Sequence, residues 1–144
     1  MSGPSGVHRG TVAWIDTDAA GIYHHTTVAR YAEAAEAQLM ESAGLREVYF
    51  PVAPRVRYEV DYRAPLRFGD DVTATVTLAR LGTSSMTFEF EVVGGDGTTS
   101  WTAASGRYVT VHLPGGHVDG AAAVPWPEEW RAALESSAAG RPAQ

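Results

Sequence analysis

Residues 28–43, V-A-R-Y-A-E-A-A-E-A-Q-L-M-E-S-A, decide how the rest of the chain must be arranged. Val28, Tyr31, Ala32, Ala35 and Leu39 recur at helical spacing and form one apolar stripe. Gly44 follows directly and suits the position just past a helix end. Thr26 or Thr27 stands where a cap would start the helix, although no capping box is visible. Six alanines lie in the run (Ala29, Ala32, Ala34, Ala35, Ala37 and Ala43). So few large side chains let a sheet approach from several sides, so the helix is expected to be wrapped rather than laid on a surface.

Outward from this helix the pattern is β. Residues 8–14 read as a strand with Val12 and Trp14 on one face, followed by the turn-rich segment Asp16-Thr17-Asp18-Ala19-Ala20-Gly21. After the helix, residues 55–63 alternate strictly, with Val56, Tyr58, Val60 and Tyr62 opposite Arg55, Arg57, Glu59, Asp61 and Arg63. That is a half-exposed antiparallel strand. Residues 71–81, 86–93 and 101–113 read as three more strands, with turns at Gly82-Thr83-Ser84 and Gly94-Gly95-Asp96-Gly97. Pro127, Glu128 and Glu129 open a short final helix anchored by Trp130 and Leu134. The order of one strand, one helix, four strands and a tail helix makes a single α+β domain. Its expected span is 8–135, between a flexible leader (1–7) and a flexible tail (136–144). One helix leaves a sheet face or edge uncovered, so a homodimer or homotetramer is expected.

Composition removes whole classes of chemistry. The 144 residues include no cysteine and, with all 11 basic residues arginine, no lysine. Disulfides, thiol nucleophiles, zinc–thiolate sites, Schiff-base lysines and P-loop lysines are therefore excluded. The net charge of -6 offers no basic face to nucleic acid. No apolar run approaches the length of a membrane span, and the first six residues lack the pattern of a signal peptide. A cytoplasmic location is expected. No G-x-S-x-G elbow and no Gly-rich dinucleotide fingerprint occurs.

Several segments together resemble the 4-hydroxybenzoyl-CoA thioesterase branch of the hotdog family. The first is Asp16-Thr17-Asp18-Ala19-Ala20-Gly21-Ile22-Tyr23-His24-His25, followed by Glu33. Tyr62-Arg63-Ala64-Pro65-Leu66-Arg67-Phe68-Gly69-Asp70 is the second, Arg80-Leu81-Gly82-Thr83-Ser84-Ser85 the third, and Val124-Pro125-Trp126-Pro127-Glu128-Glu129 matches the usual ending. The resemblance covers roughly residues 8–135. It departs at Val28, where many members carry an aromatic, and at Ile15, where Gly or Glu is common; both positions bear on the acyl group. The resemblance implies a hotdog fold, with an antiparallel sheet wrapped around one long central helix. It also implies hydrolysis of an acyl-CoA or acyl-carrier-protein thioester, with no metal or cofactor.

Read from the residues alone, Asp18 is a turn aspartate as readily as a catalytic one. By resemblance it is the catalytic carboxylate, acting as nucleophile or by activating water. Acyl transfer needs a donor for the developing oxyanion, and the resemblance assigns this to the backbone N–H of His25 at the helix start, with Gly21 assisting. The His25 imidazole is a secondary candidate. Asp16 reads as a turn-stabilising residue, and Glu33 and Glu36 are the alternative carboxylates. A buried Glu33 needs a partner, for which Arg30 is available. His24 and His25 are adjacent and point apart, a poor metal pair. His112 and His117 read as surface residues at strand ends. Tyr23, Tyr31, Trp14 and Phe88 are candidates for an acyl pocket. Tyr23, His24 and Tyr31, with Arg80, Thr83 and Ser84, are the substrate-binding candidates. Arg57, Arg63, Arg67 and Arg107 are further options for the phosphates of coenzyme A. The rival functions are a hotdog hydratase or dehydratase, and a non-catalytic acyl-CoA-binding protein.

Overall fold

The computed structural model describes residues 3–116 and 120–139; His117 lies outside them. The elements are β1 (Ser5–Thr11), α1 (Thr27–Ser42), α2 (Arg46–Tyr49), β2 (Arg55–Tyr62), β3 (Asp71–Leu81), β4 (Ser85–Gly95), β5 (Ser100–Val111) and α3 (Glu128–Ala139). The first strand thus starts at Ser5, inside the expected leader, and ends at Thr11. Trp14 falls in a 3-10 turn over Trp14–Asp16 with its side chain in solvent. The last helix runs on through 136–139.

The five strands form one antiparallel sheet in the order β1-β3-β4-β5-β2, so β1 and β2 are its edges. Alternation along the strands builds the core. Val72, Ala74, Val76, Phe88 and Val92 are buried together with Val28, Ala32, Ala35, Leu39 and Met40 of α1. The edge strand β1 lies tight against the helix, because a Cβ on Gly6 would collide with the Ala35 carbonyl. The alanine-rich helix permits that approach. Gly44 follows the cap of α1, Ala43, and its φ of 73° is the left-handed conformation that glycine adopts without strain. Among the described residues, no helix is long and apolar enough to cross a membrane.

The strict alternation expected over 55–63 is interrupted. Arg55 opposes Thr110, Arg57 opposes Val109 and Tyr58 opposes Tyr108, so Val56 is an extra residue in a bulge. Thr110 and Tyr108 share a face of β5. Arg55 therefore joins Tyr58, Val60 and Tyr62 on the helix side, and Val56 is left 59% exposed. The inward Arg55 pairs with Glu36 of α1, which is completely buried. Glu36 also accepts from the hydroxyls of Tyr49 and Tyr108, and Tyr49 shares a 3.0 Å bond with the Thr110 hydroxyl. Burial pushes the Glu36 carboxyl up, against the opposing pull of Arg55 and the two phenols. Glu33 is exposed, and Arg30 pairs with Asp16 rather than with a helical glutamate.

After β5 the chain crosses the end of the sheet. The Val124 N–H bonds the His112 carbonyl and the Trp126 N–H bonds the Thr83 carbonyl, each at 3.0 Å. Trp126, Trp130 and Leu134 are buried. His112 is not a surface residue. It is 7% exposed, with its ring 4.9 Å from Trp126 and 5.4 Å from Trp130, and its Nδ1 lies 2.9 Å from the Pro125 carbonyl. The C-terminal segment covers it.

Candidate functional site

The segment between β1 and α1 folds back on itself. Thr17 bridges to Tyr23, the Asp18 N–H bonds the Ile22 carbonyl at 2.8 Å, and the Gly21 N–H bonds the Asp18 carbonyl at 2.9 Å. The reversal needs a left-handed residue, which Gly21 supplies with φ of 81°. Asp18 stands exposed at the tip of this loop. Its Oδ1 accepts from the Ala20 N–H at 2.8 Å, and among the described residues its other carboxylate oxygen has no donor.

Asp16 anchors the loop. It is 6% exposed, and its carboxylate accepts from the Ala13 N–H (2.9 Å), Arg30 (2.7 Å) and the Tyr31 hydroxyl (3.0 Å). Its own carbonyl accepts from the His24 N–H (2.7 Å) and the Thr27 hydroxyl (3.0 Å). Burial pulls the Asp16 carboxyl upward, but these donors outweigh it and hold the group below its ordinary value. Tyr31 is buried on the other side of this bond, with its hydroxyl pushed above the usual phenol range by burial and by Asp16.

Residues 24–26 lead into α1. The His24 Nδ1 lies 2.7 Å from the Thr26 hydroxyl and accepts from the Thr26 N–H at 3.2 Å, while the His24 carbonyl accepts from the Thr27 N–H at 2.9 Å. The His25 carbonyl accepts from the Tyr62 hydroxyl at 2.7 Å. Among the described residues nothing accepts from the His25 N–H. This free donor stands at the start of α1, where the helix dipole is positive.

A cavity of about 570 Å³ opens here. Asp18, Ile22, Tyr23 and His25 form one side, and residues 62–65 with Arg67 form the other. The fold thus brings together Asp18, His25 and Tyr23 from the sequence candidates, along with Arg63 and Arg67. Gly21 shapes the adjoining turn. The His24 ring is tilted against that of His25, their centroids 4.3 Å apart, but it does not line the cavity. Tyr31 is committed to Asp16, Phe88 to the core, and Trp14 packs edge-on against Phe68 outside it. Arg80, Thr83 and Ser84 sit at the far end of the sheet, next to the Arg55 end of β2, whereas the cavity adjoins its Tyr62 end. The eight residues of β2 separate the two by roughly 25 Å.

A second concavity of about 550 Å³ lies on the outer sheet face, lined by Glu59, Asp61, Glu89 and Glu91 with Arg107. Its excess of carboxylates repels phosphate and supplies no nucleophile beside a free N–H, so it does not match a coenzyme A ester. Among the described residues no three His, Asp or Glu converge as metal ligands.

Residue reading alone passed over Tyr62 as part of the site. Its contact with His25 spans 37 positions and arises from the pairing of β2 with β5. The Tyr-Arg-Ala-Pro run was the available signal.

The sequence model of the thioesterase superfamily matches residues 20–100. No curated protein sequence matches the chain. Among solved structures, a thioesterase from Thermus thermophilus, complexed with coenzyme A and Zn, is 27% identical over 99% of this chain and 98% of that one, with a TM-score of 0.78. A predicted thioesterase from Bacillus stearothermophilus is 26% identical over 92% and 96%, with a TM-score of 0.76. A 4-hydroxybenzoyl CoA thioesterase mutant complexed with 4-hydroxybenzoyl CoA is 16% identical over 91% and 99%, with a TM-score of 0.78, and shares the fold. With its matching sequence, its helix-wrapping antiparallel sheet and these neighbours, the chain belongs to the thioesterase superfamily, as a thioester hydrolase of the hotdog fold.

Proposed function

We propose that the protein hydrolyses an acyl-CoA thioester with Asp18 as the catalytic carboxylate and the His25 N–H as the oxyanion donor. The observation that carries this reading is their meeting in one cavity: a carboxylate oxygen and a helix-start N–H that are both unbonded among the described residues. The thioester carbonyl oxygen takes the N–H, which stabilises the charge that develops in the tetrahedral state. Asp18 then acts in one of two balanced ways. As nucleophile it adds to the carbonyl carbon, the thiolate leaves, and water cleaves the resulting anhydride. As general base it takes a proton from the water that adds, and the thiolate leaves in the same manner. Arg63 and Arg67, on the far wall, are suited to anionic parts of the substrate. A carrier-protein thioester presents the same pantetheine arm and remains within this reading.

The exposed state of Asp18 supports a homodimer, since a carboxylate reacts better in a dry site. β2 is an edge strand that exposes Val56 (59%), Tyr58 (37%) and Tyr62 (51%), and its Tyr62 end adjoins the cavity. Antiparallel pairing of two β2 strands about a two-fold axis covers these residues. It also carries the partner's turn that follows β3 towards the cavity, the route by which Arg80, Thr83 and Ser84 reach a shared substrate. The chain draws on the cytoplasmic coenzyme A pool. The test is thiol release from a panel of aromatic, short and medium-chain acyl-CoAs and acyl-carrier-protein esters: turnover of at least one ester supports the reading, and no release from any of them rejects it.

A further inference from the structure

We propose that Tyr62 is a positioning residue of this site: its hydroxyl fixes the backbone at His25 so that the His25 N–H is held towards the substrate carbonyl. The inference rests on the thioesterase reading above. His25 precedes Thr26, the residue that caps α1, so its carbonyl receives no donor from within the helix. Around it the backbone is tied down. The His24 N–H is held by Asp16, the His24 carbonyl by Thr27 and the Thr26 N–H by the His24 ring. The remaining carbonyl, that of His25, is held by the Tyr62 hydroxyl alone among the described residues.

Tyr62 does this from the opposite wall of the cavity. It is the last residue of β2, paired with Ala104 of β5. Its ring tilts against Tyr23 at 6.1 Å, and Tyr23 is itself fixed by its hydroxyl on the Ala103 carbonyl at 3.3 Å. At 51% exposed, the Tyr62 side chain contributes little to the core, and its hydroxyl makes one directed hydrogen bond, to the His25 carbonyl. Because β2 is an edge strand, this bond also couples the position of the edge to the oxyanion donor.

The experiment compares the full-length parent with Tyr62→Phe, which removes only the hydroxyl. Three readouts are taken: thermal midpoint, kcat and KM for thiol release, and the ¹H–¹⁵N resonance of the His25 amide. The expected result is an unchanged midpoint and KM, a kcat lowered about tenfold because the donor is loosened rather than lost, and a shifted or broadened His25 amide. A purely structural tyrosine would instead lower the midpoint and leave kcat of the folded fraction intact. That outcome, loss of the fold, or an unmoved His25 amide overturns the inference. A parent that turns over no ester defeats the thioesterase reading itself, whereas an active parent with an equally active Tyr62→Phe defeats only the role of Tyr62.

Discussion

Replacing Arg55 by Met removes the cation facing Glu36 while keeping an unbranched stem in its place. Glu36 is fully buried, with Arg55 and Tyr108 on Oε1 and Tyr49 on Oε2. The variant leaves two phenol donors on a carboxylate that has lost the cation paired with it among the described residues. Breaking one side of a buried pair costs about 3–5 kcal/mol, a large share of the roughly 5–15 kcal/mol that stabilises a domain. At about 2–4 °C per kcal/mol for a chain of this size, the thermal midpoint falls by roughly 6–20 °C. The loss depends on pH. Burial already raises the Glu36 carboxyl above its usual value, and Arg55 is the largest opposing influence. Without it the folded-state pKa rises further. A carboxyl raised on folding contributes its stability below the unfolded value and loses it as pH climbs through the folded one. The deficit is therefore largest near pH ~8 and shrinks towards pH ~5. Urea unfolding of parent and variant at both values reads this directly. Adding Glu36→Gln to Arg55→Met is expected to recover much of the loss at the higher pH. A deficit below about 1 kcal/mol, or one that grows on acidification, would refute the reasoning.

Asp16→Asn loses its charged bond to Arg30, at about 1–3 kcal/mol near neutrality. Because the parent carboxyl is held low, its contribution is present above the unfolded value and vanishes as pH falls through the folded one, so parent and variant converge in acid; stability curves against pH check this. Gly21→Ala forces a left-handed alanine at about 1–2 kcal/mol and displaces Asp18, so kcat is expected to fall more than the melting point. Trp130→Ala removes a buried anchor of the C-terminal segment beside Trp126 and His112, costing about 3–5 kcal/mol in chemical unfolding.

The helix and the five strands were legible because local pattern decides them: the stripe from Val28 to Leu39 has a helical period, and β3 and β4 alternate cleanly. What escaped reading was set by pairing across the sheet. The bulge at Val56 leaves no mark in a sequence that alternates straight through it, so Arg55 read as outward and Glu36 had no visible partner. Glu33 and Glu36 are one helical turn apart, and only the sheet's position shows which is buried. The strand before the helix was misplaced because Gly6, which permits close approach to the helix, and Gly10 hide its alternation. His112 read as surface because its cover arrives from residues 124–134. In the candidate cavity, the wall built from the contiguous loop 16–25 was legible and the wall built from residues 62–67 was less so. Arg80, Thr83 and Ser84 lie across the sheet from it within one chain, a distance that no linear reading supplies.

The central claim, that Asp18 carries the chemistry, is tested most directly by measuring thiol release by the parent, Asp18→Asn and Glu33→Gln on the best acyl-CoA substrate. Asn keeps the size of Asp and can still take the Ala20 N–H, so the loop is retained. The account predicts a kcat lower by a factor on the order of 10³ or more in Asp18→Asn, with near-parental release by Glu33→Gln, whose side chain is exposed on α1. Undiminished release by Asp18→Asn would contradict it and move the chemistry to another carboxylate.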